Sequence, residues 1–242
     1  MDENNYQTCE ISPDFSVGID EMPVKLGLSD AKESQVDQIW EEAQQNHEGQ
    51  LFNGKFFVFK SFENGELTGH FIDYKYFRAQ SLPALKSALN IKPIAISCSC
   101  RFQNEFLIGL RSKSVTGFSG FYELVPSGGI SLDAFEKGKI DLKKQALLEL
   151  EEEAGIFSEC VKSCLPVALI HEINASTYEI YMEIELKKKG GLGVWSTLEY
   201  SMLEWMPIKQ LISFAEKEKE KFVPLSLYLI EQYVSKLRSS KL

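Results

Sequence analysis

Cations are the scarce residues here: 26 lysines and arginines stand against 35 aspartates and glutamates, a formal net charge of −9 over 242 residues. A nucleic-acid groove needs a basic stripe to displace counterions from phosphates, so this balance argues against such a partner. No apolar run reaches the roughly 20 residues that span a bilayer, which argues against a membrane partner. The amino terminus, Met1-Asp2-Glu3-Asn4-Asn5, is acidic and polar, unlike an export signal. Cysteine is odd in number (Cys9, Cys98, Cys100, Cys160 and Cys164) and shows no paired zinc spacing. His171-Glu172 has no second histidine four residues on, so the zinc-helix motif fails. A reduced, cytoplasmic setting is the expectation. Repeats and low-complexity linkers are also lacking.

What is present is an ordinary globular composition, 44% hydrophobic and 25% charged, long enough for one large domain or a domain plus a smaller partner. Residues 7–26 read as short strands and turns ending at Met22-Pro23. A helical stripe follows from Ser34 (Val36, Ile39, Trp40, Ala43), with Ser34 and Asp37 as its capping pair. Residues 56–62 form a strand, Asn64-Gly65 a hairpin turn, and 67–76 the partner strand. A short helix over 81–89 stops before Pro93. Residues 1–92 thus read as a small amino-terminal α+β domain, and 93–242 as a second domain. That second domain opens with strands at 95–100 and 106–111, a loop at 112–120 and a strand at 121–125. Strands near 164–171, 178–186 and 198–205 come later, then a helix opened by Pro207 and a last one over 224–237. Cys98 and Cys100 share a strand face and read as small buried hydrophobes.

The chemistry concentrates in residues 148–156. Glu149, Glu152 and Glu153 lie at i, i+3 and i+4, so a helix stacks them on one face, while Leu147, Leu150 and Ala154 supply an apolar counter-face. Gly155 follows where a helix ends in a left-handed cap. Upstream, Pro126-Ser127-Gly128-Gly129 reads as a turn that lets backbone approach a ligand closely. Acidic runs are ordinarily solvated helix faces. Flanked by glycines, three anions within one turn instead suit a hard divalent cation.

Together these residues resemble the signature of the Nudix hydrolases, G-x5-E-x7-R-E-U-x-E-E-x-G-U with U aliphatic. Gly129 matches the opening glycine, and Glu149, Leu150, Glu152, Glu153, Gly155 and Ile156 match the second half. Leu148 stands where the family has arginine. Five extra residues lengthen the 130–140 loop, leaving Glu136 and Asp141 as stand-ins for the early glutamate. Ile39-Trp40-Glu41 and Leu51-Phe52-Asn53-Gly54-Lys55-Phe56 ahead of such a box look like the UDP-glucose pyrophosphatase branch. The resemblance implies an α/β fold, the Nudix α/β/α sandwich, carrying the small amino-terminal α+β domain. It also implies magnesium-dependent cleavage of a UDP-sugar to UMP and sugar 1-phosphate, with manganese as the alternative ion. The partner would be a small-molecule nucleotide, bound by a monomer or homodimer.

On this reading Glu149, Glu152 and Glu153 ligate the metal and, by analogy with the family, so does the Gly128 carbonyl. Gly129 and Arg111 face the substrate phosphates; Arg111 reads equally as a surface ion pair. Tyr122 and Phe77 are stacking candidates for a base, or core aromatics. Glu179 is the candidate general base, in competition with Glu172 and Glu183. Two alternatives stand beside the UDP-sugar reading: another diphosphate such as ADP-ribose or a dinucleotide, and a non-catalytic nucleotide-binding domain, which Leu148 and the stretched loop favour.

Overall fold

A computed structural model describes residues 5–20, 26–46, 51–115, 117–190 and 199–239. Its elements, in chain order, are strands β1 (Tyr6–Glu10) and β2 (Ser16–Ile19), then helix α1 (Asp30–Asn46). The hairpin β3 (Lys55–Glu63) and β4 (Glu66–Asp73) follows, then α2 (Tyr74–Ala79) and α3 (Pro83–Leu89). Next come β5 (Ile94–Phe102), β6 (Glu105–Arg111), β7 (Tyr122–Leu124), β8 (Ser127–Gly129), β9 (Phe135–Glu136) and β10 (Lys139–Ile140). Helix α4 (Leu142–Ala154) precedes the hairpin β11 (Val161–Glu172) and β12 (Thr177–Leu186). The chain closes with β13 (Tyr200–Pro207), α5 (Ile208–Lys217) and α6 (Pro224–Ser239). The architecture is α/β, and among the described residues no helix is long and apolar enough to cross a membrane.

Two compact units emerge, and both are discontinuous in sequence. The first comprises Met1–Ile96, Gly129–Gln145 and Ala168–Ile180; the second comprises Ser97–Gly128, Ala146–Val167 and Tyr181–Leu242. The amino-terminal segment of the first unit reaches Ile96, and the chain returns to that unit twice more.

In the first unit a five-stranded sheet runs β3-β4-β2-β10-β9. The β3–β4 hairpin turns at Asn64 and Gly65, both with positive φ, as the Asn-Gly signal requires. Helices α1 to α3 cover part of it through Val36, Val58, Ile72, Ala79, Leu85 and Leu89. The five residues that lengthen the 130–140 loop are used here. Lys137 and Gly138 make a positive-φ turn between β9 and β10, and β10 pairs antiparallel with β2 through Lys139↔Gly18 and Ile140↔Val17. A loop insertion has become two added strands.

Three local expectations differ from what is seen. Helix α1 starts at Asp30 rather than Ser34, because Ser29 O receives the first amide bonds, from Lys32 and Glu33. Ser34 Oγ bonds Asp30 O at 3.0 Å inside the helix and caps nothing. Strand β4 stops at Asp73, because Gly54 O and the Asn53 side chain accept the amides of Tyr74 and Lys75 and the chain turns helical. Finally, 127–129 is a short strand, not a turn. Met22-Pro23 and Leu198 lie outside the described residues.

In the second unit β6 lies between β5 and β13, with β7 pairing β6 off that path. Leu107, Ile108, Leu150, Ile156 and Tyr200 are fully buried. Cys98 and Cys100 are buried with them, and burial pushes both thiols well up, as inert packing residues require. Helices α5 and α6 contribute Leu211, Leu227 and Ile230 to the apolar interior.

Candidate active site

Helix α4 is set by local signals at both ends. Asp141 Oδ1 accepts the Lys144 amide at 2.9 Å, a side-chain cap on the first turn. Gly155, at φ +62°, ends the helix, its amide bonding Glu151 O while Ile156 bonds Leu150 O. Asp141 is therefore engaged as a cap. Glu136, the other stand-in for the early glutamate, sits exposed on the β9–β10 hairpin beside Lys137.

Gln145, Glu149 and Glu153 recur at four-residue spacing and so share one stripe of α4. Each meets the strand leaving the cis Val125–Pro126 bond. The Gln145 amide bonds Gly129 O at 3.0 Å and accepts from the Ser131 amide at 2.9 Å. The Glu149 carboxyl lies so close to Gly128 that an added Cβ would sit 2.3–2.5 Å from its atoms. That closeness, rather than any unusual φ, is why glycine is needed at 128. The Ser127 amide donates to Glu153 Oε2 at 3.1 Å.

The three acids of the ridge separate by environment. Successive helical residues turn by about 100°, so Glu153 rotates inward beside Ala146, Leu150 and Ala154, Glu149 sits at the margin, and Glu152 faces outward. Glu153 is 3% exposed, Glu149 half-buried and Glu152 exposed. Leu147, expected in the apolar counter-face, is only partly buried; Ala146 takes that place. Burial first, then Glu199, Glu149 and Glu123, hold the Glu153 carboxyl well above the usual range. Its Oε1 is buried without a hydrogen-bonding partner, while the Glu199 carboxyl lies at hydrogen-bond range of the Glu153 carboxyl. Two carboxylates in that relation need a proton or a cation between them.

A second buried acid, Glu123, is 4% exposed. Its Oε1 accepts from Arg111 Nη1 at 2.5 Å and from the Tyr200 hydroxyl at 2.6 Å. Burial still outweighs both partners and raises its pKa. Gly109 makes this arrangement possible, since a Cβ there would fall 2.4 Å from the Tyr200 ring. The Tyr200 hydroxyl also bonds Ser127.

The sequence-predicted residues are thus distributed unevenly. Glu149, Glu153 and Gly128 come together, and Glu152 lies on the same helix but outside. Gly129 is exposed and its carbonyl is held by Gln145. The Arg111 guanidinium is already engaged by Glu123 and by the Gly117 carbonyl. Tyr122 packs on Phe214 and Phe222, and Phe77 on Phe56. Glu179 belongs to the first unit, whereas the strongest electrostatic neighbours of Glu153 are Glu199, Glu149 and Glu123. Sequence reasoning missed Gln145, Glu123, Glu199 and Tyr200. Only Glu123, a lone charge inside the apolar strand Tyr122-Glu123-Leu124-Val125, carried a visible signal.

Among the described residues, no three His, Cys, Asp or Glu side chains stand close enough to form a metal cage by themselves. Magnesium does not ask for one: one or two carboxylates suffice, with water and substrate phosphate completing its octahedron. The unpartnered Glu153 Oε1 and the Glu149 carboxyl against Gly128 fit that demand.

No family model matches the chain, and no curated protein matches it. Among solved structures it is similar to the NUDIX domain of Shewanella oneidensis NrtR complexed with ADP ribose (15% identity, 60% of this chain, 88% of that one, TM-score 0.46). It is also similar to a MutT protein from Methanosarcina mazei (18% identity, 60% and 96%, TM-score 0.42). A third is an Ap4A hydrolase from C. elegans (17% identity, 60% and 98%, TM-score 0.39).

Proposed function

We propose that the α4–β8 site hydrolyses the pyrophosphate bond of a nucleoside diphosphate derivative. UDP-sugars such as UDP-glucose, cleaved to UMP and sugar 1-phosphate, are the first substrates to test. The observation that carries this reading is the Glu153 carboxyl: buried, unpartnered at Oε1 and facing Glu199. A buried group so arranged is costly unless a ligand completes it. The box-like spacing of Glu149, Glu152, Glu153 and Gly155 supports the same assignment.

Glu149, Glu153 and the Gly128 carbonyl would hold magnesium or manganese, with Glu152 reaching it from the solvent side. When bound, the ion neutralises diphosphate charge and acidifies a water. The chain supplies the rest. Gln145 and the Ser127 amide fix residues 127–131 against the helix, so acids and backbone keep their spacing. Water adds to phosphorus, the bridging P–O bond breaks, and the water's proton passes to a carboxylate. We assign that base to Glu199, which is exposed to solvent and adjoins Glu153, ahead of Glu179.

The test is magnesium-dependent hydrolysis of UDP-glucose, ADP-ribose and a dinucleotide, with product identification, in the wild type and in Glu199→Gln and Glu179→Gln. UMP release from UDP-glucose, lost in Glu199→Gln and kept in Glu179→Gln, supports the full reading. AMP release from ADP-ribose moves the substrate to the other diphosphate class. Nucleotide binding without any magnesium-stimulated cleavage moves it to the non-catalytic reading that Leu148 favours.

A further inference from the structure

The connection after β6 plays no part in the chemistry above, yet its end is firmly braced. Arg111 Nε donates to the Gly117 carbonyl at 2.9 Å while Nη1 of the same guanidinium holds Glu123. Three backbone bonds close the segment: Gly120 N to Arg111 O, Arg111 N to Phe121 O, and Phe121 N to Phe118 O, at 3.1, 2.9 and 3.0 Å. What this bracing presents is Phe118. Its φ is +49°, a left-handed conformation that phenylalanine rarely adopts, and its side chain is 50% exposed. A left-handed backbone and an exposed ring both oppose folding, and the bonds above offset the first of them. Phe121 meets the ring edge-to-face at 5.6 Å, and half of Phe118 stays in solvent.

The brace also leads inward. Glu123 Oε1 accepts from Tyr200, the Tyr200 hydroxyl bonds Ser127, and the Ser127 amide bonds Glu153. A continuous run of polar contacts therefore joins the Gly117 carbonyl to the buried acid of the candidate active site. An apolar ring beside the outer end of that run, tied through it to the candidate site, suits a substrate with a flat ring at one end. Nucleobases fit, because base–aromatic stacking is strong and tolerates any base.

We propose that Phe118 is the stacking surface for the nucleobase of a nucleoside diphosphate substrate. Arg111 is the positioning residue that holds it there, not a phosphate ligand. The inference rests on the hydrolase reading above and adds a base subsite to it. Its first test is independent of turnover. Phe118→Trp introduces an indole whose emission, taken as the difference from wild type, is titrated with UMP, AMP and ribose 5-phosphate. Quenching by both nucleotides and not by the base-free phosphate is expected; equal quenching by all three, or none, overturns the proposal.

In turnover, Phe118→Ala raises KM for a nucleotide substrate about tenfold with kcat unchanged. Arg111→Lys, which keeps the charge but cannot bridge both partners, raises KM in the same direction and adds nothing in the double variant. An unchanged KM in Phe118→Ala overturns the assignment, as does a change in molecular mass alone, which would mark a self-association surface. If the wild type cleaves no diphosphate, the hydrolase reading fails, while the quenching experiment still decides the base subsite.

Discussion

Glu123 and Glu153 are two acids buried to nearly the same degree in one unit, and their surroundings treat them in opposite ways. Around Glu123, on β7, the carboxylate receives an arginine and a tyrosine hydroxyl, and Gly109 leaves room for the tyrosine ring. Around Glu153, on α4, one oxygen takes a single backbone amide, the other has no partner, and the nearest charges are three more acids. A buried polar group answered by the protein serves the fold; one left unanswered marks a place for something from outside.

The largest contrast is expected from replacing each acid by its neutral isostere. Glu153→Gln lowers kcat on the order of a thousandfold, because ion neutralisation contributes several kcal/mol to such barriers. The same change relieves repulsion, so its melting temperature equals or exceeds that of the wild type; a well-folded variant with full magnesium-dependent turnover would break the comparison. Removing metal from the wild type with a chelator should give the same loss of turnover.

Gly128→Ala comes next. The added methyl pushes the Glu149 carboxyl aside, leaving stability almost unchanged while metal affinity falls about 10- to 100-fold, read from the magnesium dependence of rate. Glu123→Gln should do the reverse of Glu153→Gln, removing the charge that answers Arg111. A loss of about 2 kcal/mol in urea unfolding is expected, and an unchanged midpoint would deny Glu123 its structural role.

The smallest effect belongs to the first unit. Burial, opposed by Asp20 and helped by Lys60, holds the His70 imidazole below its ordinary value near 6.5, and its Nδ1 is buried without a partner. A depressed folded pKa means that the neutral form is the one the fold accepts. Its contribution is whole above about pH 6.5 and is lost as pH falls through the folded value. Unfolding midpoints compared at about pH 8 and about pH 5.5 should show the drop, and His70→Gln should flatten it.

Much of this was legible in residue order. The Asn64-Gly65 hairpin, the short strands before and after it, and the Gly155 stop follow from turn chemistry confined to a few neighbours. The α4 ridge was legible for the same reason, since helical period alone puts Glu149, Glu152 and Glu153 on adjoining positions. The misplacements were also local. Ser34 looks like a cap although Ser29 takes the first amides, and residues 74–76 look like strand although Asn53 and Gly54 take the amides of Lys75 and Tyr74. In each case the deciding partner lay outside the window that the pattern uses.

The amino-acid order by itself determined that a helix would carry an acidic ridge between glycine-bearing segments, because spacing and backbone conformation are properties of neighbours. Only the tertiary structure decided that Glu153 would turn inward and Glu152 outward, that Glu199 and Glu123 would gather near it, and that the lengthened loop would pair with β2. Those outcomes depend on which surface each residue meets, and burial, unlike helical period, is a property of residues far apart in the chain.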